Sequence, residues 1–217
     1  MIQSVDLSLA LRQVSVRPRP LRSGAGARDQ ALEMIEREAL ASPAFSYRIL
    51  PVQTVLGDAI GVGEAVLDAP ALAAATAELN AVAAAACTLG PAVQERISAL
   101  FATRRRSLAL ALDTLANELL FRLADRAFAT IRREARRTGL GIGIEASPGD
   151  PGVPLAQQAG VLALADAARI GIHAVGAGML SPMKSLSFVV ALGPNLRRHS
   201  APGRCNCCPS RDRCTVK

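Results

Sequence analysis

Between Leu108 and Arg137 apolar residues recur at helical spacing, with neither glycine nor proline inside the run. At 1.5 Å per residue a helix of that length spans about 45 Å, longer than the diameter of a small domain. Whatever else the chain forms must therefore be packed along it. A shorter helical stretch runs from Pro91 to Ala102, and Arg104-Arg105-Arg106 separates the two. Arg132, Arg133, Arg136 and Arg137 close the long segment, where the helix dipole favours cations without any ligand to explain them.

The rest of the chain supplies candidates for a sheet to lie on that spine. Val5 to Val16 alternates apolar and polar residues, which suits an edge strand or a short helix, and Arg17-Pro18-Arg19-Pro20 ends it. Ala27 to Ala41 carries an apolar stripe at helical spacing. Phe45 to Leu56 and Ala59 to Val62 read as strands on either side of Gly57-Asp58. Asp68 and Pro70 introduce a helix through Leu79. Val82 to Thr88, small, apolar and closed by Gly90, reads as a central strand.

The stretch from Gly143 to Gly193 has the most specific text. Two prolines and two glycines in Ser147-Pro148-Gly149-Asp150-Pro151-Gly152 predict a rigid loop able to bring backbone N–H groups close to a ligand. A helix from Pro154 to Arg169 follows, stopped by Gly171. Next come a strand from Ile172 to Met179, a turn over Ser181 to Ser185, and a buried strand from Leu186 to Leu192. The expected fold class is α+β: an antiparallel or mixed twisted sheet packed on a long central helix and shorter helices. The domain spans 1–193, and an irregular, basic, Cys-rich tail occupies 194–217.

Charge distribution excludes one large class of function. The net charge of +7 is concentrated at the ends: residues 1–28 hold five arginines against Asp6, and residues 194–217 hold five arginines and Lys217 against Asp212. The ends therefore carry +4 and +5, leaving −2 for the body between them. A basic globular face for duplex nucleic acid is not what these numbers describe, and neither end carries the aromatics that single-strand binders interleave with basic residues. No run of 18 apolar residues is present, and arginines interrupt the first 30, so a soluble cytoplasmic protein without membrane spans is expected.

Four of the five cysteines fall in the last 13 residues. Cys205, Cys208 and Cys214 have the spacing C-x-x-C-x-x-x-x-x-C, with Cys207 as a further thiolate, a pattern that suits zinc or an iron–sulfur cluster better than a disulfide framework. Arginines around them would lower their pKa values. Adjacent Cys207 and Cys208 fit poorly on one ion, and the bland alternative is an unliganded tail with free thiols. Cys87 reads as a small core residue, His173 as a half-buried strand histidine, and Met179 and Met183 as core filling. Lys184 and Ser185 sit where a turn can meet a phosphate or carboxylate, although a lysine in a turn is solvated by default.

Ser147-Pro148-Gly149, a proline at the helix start, Ile170-Gly171 before a strand, and M-x-x-P-x-K-S-x-S-F-x-x-x-L-G from Met179 to Gly193 together resemble the activation domain of cobalamin-dependent methionine synthase. They resemble still more closely the short stand-alone proteins of that type that end in a cysteine cluster. Ala86-Cys87-Thr88-Leu89-Gly90-Pro91 and Leu112-Asp113-Thr114-Leu115-Ala116 fall where such proteins have similar segments, so the likeness runs from about Val5 to Cys214.

The resemblance implies an accessory of corrinoid-dependent methyl transfer. Such a protein docks on a corrinoid-binding partner or methyltransferase that holds cobalamin, and S-adenosylmethionine is the methyl donor. The implied ligand-binding positions are Glu145, Ser147, Pro148, Gly149, Asp150, Pro182, Lys184 and Ser185. The family's R-x-x-x-G-Y motif is altered here: aligned on Pro148-Gly149, Glu145 stands for the arginine and Asp150 for the tyrosine. A family glutamate on the long helix falls at Phe121, or at Glu118 with a one-turn slip. Replaced contacts of this kind cost on the order of 1–3 kcal/mol each, so weak donor binding or none is expected. The alternatives are a metal or iron–sulfur redox protein and a non-catalytic interaction module.

Overall fold

The structure is a computed structural model, and it describes residues 2–4, 25–74 and 78–196. The expectations for Val5 to Val16 and for the cysteine cluster at Cys205, Cys207, Cys208 and Cys214 lie outside the described residues.

The fold is α+β. Its long helix, α4 (Arg106–Arg137), is 32 residues long. Leu108, Leu112, Leu115, Leu119 and Leu123 repeat along one side of it and are buried, with alanines between them that allow close approach. The preceding helix, α3 (Ala92–Ala102), is set off from α4 by Arg104 at φ 59°. Helix α1 (Ala25–Arg37) packs alongside α4, and Arg28 clamps the two together through a bidentate pair with Glu118 at 3.0 and 2.7 Å.

An antiparallel sheet lies across these helices. Its strands are β1 (Ile2–Ser4), β2 (Ala44–Leu56), β3 (Ala59–Val62), β4 (Ala65–Asp68), β5 (Ala81–Thr88), β6 (Gly141–Ala146) and β9 (Ser185–Gly193). Six run in the order β4-β3-β2-β5-β9-β6, and β1 pairs with the start of β2. All eight residues of β5 are buried because both faces of this central strand are covered. Ala81, Ala83, Ala85 and Cys87 pack with the helices, while Val82, Ala84 and Ala86 join a second core on the opposite face. That core is covered by α2 (Pro70–Ala73), α5 (Gln158–Leu164) and flanking 3-10 turns.

Several sequence expectations are corrected here. Asp68 ends a strand instead of capping a helix, and the helix after it is one turn, Pro70–Ala73. Gly141–Ala146 is an edge strand that the loop-first reading missed. The helix expected from Pro154 to Arg169 is three pieces: a 3-10 turn at Leu155–Gln157, α5, and a second 3-10 turn at Ala167–Ile170, with Asp166 left-handed at φ 55°. The break comes where Asp166 turns left-handed, and the Ala165 carbonyl beside it is held from across the fold, Ser46 Oγ donating to it at 2.6 Å.

Ile172 to Met179 is likewise not one strand. Gly176 and Gly178, at φ 55° and 103°, fold it into a hairpin of β7 (His173–Val175) and β8 (Met179–Ser181). His173 is exposed there, not half-buried.

Candidate functional site at one end of the sheet

Because β6 and β9 are antiparallel neighbours, with Ala146 opposite Val189, the chain leaves β6 at the end of the sheet where it enters β9. The C-terminal end of β5 is there too, since Thr88 pairs with Ser185. The loop at Ser147 to Gly152, the β7–β8 hairpin and the turn at Pro182 to Lys184 thus meet at one end of the sheet. Gln158 of α5 holds the region together by donating to Ser187 Oγ at 2.7 Å. Leu155 fills the space between loop and hairpin: a Cβ on Gly178 would lie 3.1 Å from its Cγ, and one on Gly149 would lie 3.8 Å from its Cδ1.

The loop is rigid for reasons written into its residues. Ser147 N–H donates to Asp150 Oδ2 at 2.8 Å, and Asp150 N–H returns to Ser147 O at 2.9 Å. Gly149 N–H donates to Val153 O, and Val153 N–H to Asp150 O. The expectation that this loop offers its amides to a ligand is therefore corrected at these four positions, whose N–H groups are engaged inside the loop. Asp150 acts here as a loop-closing acceptor. The loop is also anchored from outside, because Ala71 N–H of α2 donates to Gly152 O at 3.2 Å. Glu145 lies opposite Val190 and so on the α4 side of the edge strand, half-buried.

Lys184 departs furthest from expectation. It is 8% exposed, and its ammonium donates to Asp113 Oδ1 at 2.7 Å and to Asn117 Oδ1 at 2.8 Å, both on α4. Asn117 Nδ2 donates in turn to Asp113 Oδ2 at 3.3 Å. The turn is thereby fastened to the N-terminal half of the long helix. Ser185, the next residue, is directed to the opposite face, where its Oγ donates to Thr88 Oγ1 at 2.8 Å; Thr88 Oγ1 also accepts from Gly90 N–H. The two turn residues are buried beneath this end of the sheet, not displayed at its surface. Pro182, half-buried, follows a cis peptide bond.

Beside the exposed Asp150 and His173, this end displays an apolar rim. Met179 and Met183 are each 67% exposed, and Leu155 and Val175 are exposed beside them. The core-filling role expected for both methionines is corrected, because hairpin and turn project past the sheet and no core reaches them. Phe121 is exposed on α4, and Glu118 is committed to Arg28, so neither offers a carboxylate here. Sequence reasoning missed Asp113 and Asn117 as partners of Lys184. Their signal was a polar pair at i, i+4 within an otherwise apolar helical repeat. Among the described residues, no group of three or more histidines, cysteines or carboxylates is arranged to hold a metal ion, and no helix is long and apolar enough to cross a membrane.

Comparison with known proteins places the fold. A crystal structure of the MetH reactivation domain bound to AdoHcy superposes with a TM-score of 0.65, covering 90% of this chain and 79% of that one at 18% identity. No protein-family model and no curated relative matches the chain.

Proposed function

We propose that the chain is an accessory of corrinoid-dependent methyl transfer, which docks on a cobalamin-binding protein through the end of the sheet just described. The supporting observation is that a fold like that of the MetH reactivation domain, over nine-tenths of the chain, carries an exposed apolar rim at Leu155, Val175, Met179 and Met183 on an internally braced loop and hairpin. Methyl transfer from a sulfonium to reduced cobalt asks a protein to orient the donor and exclude competing reactants, and it requires no acid–base pair. Unbranched thioethers suit contact with a large apolar macrocycle or with a partner surface that repacks.

Donor binding in this reading is weak. Glu145 stands where the related motif has arginine, and Asp150 uses its carboxylate to close the loop. The cysteines beyond residue 200 would add a zinc or iron–sulfur site outside the domain; metal analysis of anaerobically purified chain tests that addition separately.

The test of docking is interferometry between the full chain and a purified cobalamin-loaded binding domain. Met179→Asp with Met183→Asp should weaken binding at least tenfold while leaving the unfolding temperature unchanged, since both residues are exposed. Unchanged affinity in a folded double variant would refute the docking face.

A further inference from the structure

The chain has four methionines, and the fold treats them differently. Met1 lies outside the described residues, and Met34 is half-buried on α1 against the core between helices and sheet. Met179 and Met183 belong to neither core: each is 67% exposed, the first just after the bend of the β7–β8 hairpin and the second in the turn that follows. Met179 pairs across the hairpin with Val175, and its Cε lies 3.8 Å from where a Cβ on Gly176 would stand. Its thioether therefore lies over the bend, with most of the side chain facing solvent.

Exposure decides which thioethers an oxidant meets. With a peroxide, a sulfur lone pair attacks one peroxide oxygen, the O–O bond breaks, an S–O bond forms and the second oxygen leaves as water; sulfur loses two electrons and the peroxide gains them. The product is a polar, chiral sulfoxide in place of a flexible apolar side chain. Seated against an apolar partner surface, that oxygen is stripped of water, and Leu155 and Val175 beside it have no donor to offer in exchange.

We propose that Met179 and Met183 are oxidation sites through which a peroxide releases the chain from its partner, because the same two exposed thioethers form the apolar rim. The inference rests on the docking face argued above and adds its regulation. Release is reversible, since methionine sulfoxide reductases return the sulfide at the expense of a dithiol, which becomes a disulfide while the sulfoxide oxygen leaves as water. The fold survives the change, because neither side chain contributes to a core; oxidation of Met34 would instead place a polar group against one.

The experiment treats the full chain with hydrogen peroxide, removes the peroxide with catalase and then adds dithiothreitol, which reverses cysteine disulfides and sulfenic acids but not sulfoxides. After tryptic cleavage, peptide 170–184, which holds both rim methionines, should gain two oxygens before peptide 29–37, which holds Met34, gains one. Binding to the cobalamin-loaded domain should weaken about tenfold with the unfolding temperature unchanged, and reductases for both sulfoxide epimers should restore it. Met179→Leu with Met183→Leu, compared only with itself before and after peroxide, should show no loss. Equal oxidation of Met34, undiminished docking of the doubly oxidised chain, or an equal loss in the leucine variant would each overturn the proposal. Untreated chain that does not dock removes the face itself and this proposal with it, a result distinct from a face that docks equally well in both oxidation states.

Discussion

Lys184 shows how far one residue can differ from its sequence neighbourhood. Flanked by an exposed Met183, it is nevertheless buried, because Asp113 and Asn117 lie 71 and 67 positions earlier in the chain and only the fold brings them beneath the turn. Replacing it by methionine deletes the two hydrogen bonds that the ammonium donates and leaves the half-exposed Asp113 with Asn117 Nδ2 but without its cation. Lys184→Met should cost about 1–3 kcal/mol in urea unfolding, whereas Met183→Ala should cost less than about 0.5 kcal/mol. Equal effects would mean that the pair contributes nothing net.

Tyr47 offers a second check at this scale, since it is the only tyrosine and there is no tryptophan. Burial, and then the hydrogen bond its hydroxyl donates to Glu134, raise its pKa well above the ordinary phenol range. Because the folded pKa is raised, the stabilisation is complete below the unfolded value near 10 and is lost as pH rises toward the folded one. Tyrosinate absorbance should stay absent through pH 11 in the folded chain and appear near pH 10 in urea. A folded-state titration near 10 would contradict the burial and bonding described.

At the scale of elements, local pattern sufficed where local forces decide. The long helix, the all-buried β5, the largely buried β9, and the Gly57-Asp58 turn were legible as apolar runs with their proper periods and stops. The helix after Pro154 was not, because it breaks at the left-handed Asp166, next to a carbonyl at Ala165 that is held by Ser46, 119 positions away. The hairpin at Gly176 to Gly178 was legible in principle from its two glycines; the apolar residues on either side masked it. The loop before α5 makes a further prediction. Gly152 has φ 87°, and a Cβ there would come within 2.6 Å of Ala71 Cβ. Gly152→Ala should therefore destabilise by about 1–3 kcal/mol in thermal or chemical unfolding, more than Gly149→Ala, whose Cβ would meet only Leu155 at 3.8 Å.

For the whole molecule, the sequence carried the fold class but not the strand Gly141–Ala146, whose antiparallel pairing with β9 brings the loop and the turn to one end of the sheet. It did not carry which side chains face outward there. The turn's lysine and serine are buried in opposite directions and the methionines are displayed, an arrangement fixed by contacts across the sheet. The central claim is that this end is the working face, and hydrogen–deuterium exchange of the full chain with a cobalamin-loaded binding domain, with and without AdoHcy, tests it most directly. Protection is predicted in 147–158 and 173–184 on addition of the cobalamin-loaded domain, with little further change from AdoHcy. Protection confined to the opposite end of the sheet, at Gly57-Asp58 and Gly139-Leu140, would contradict the account.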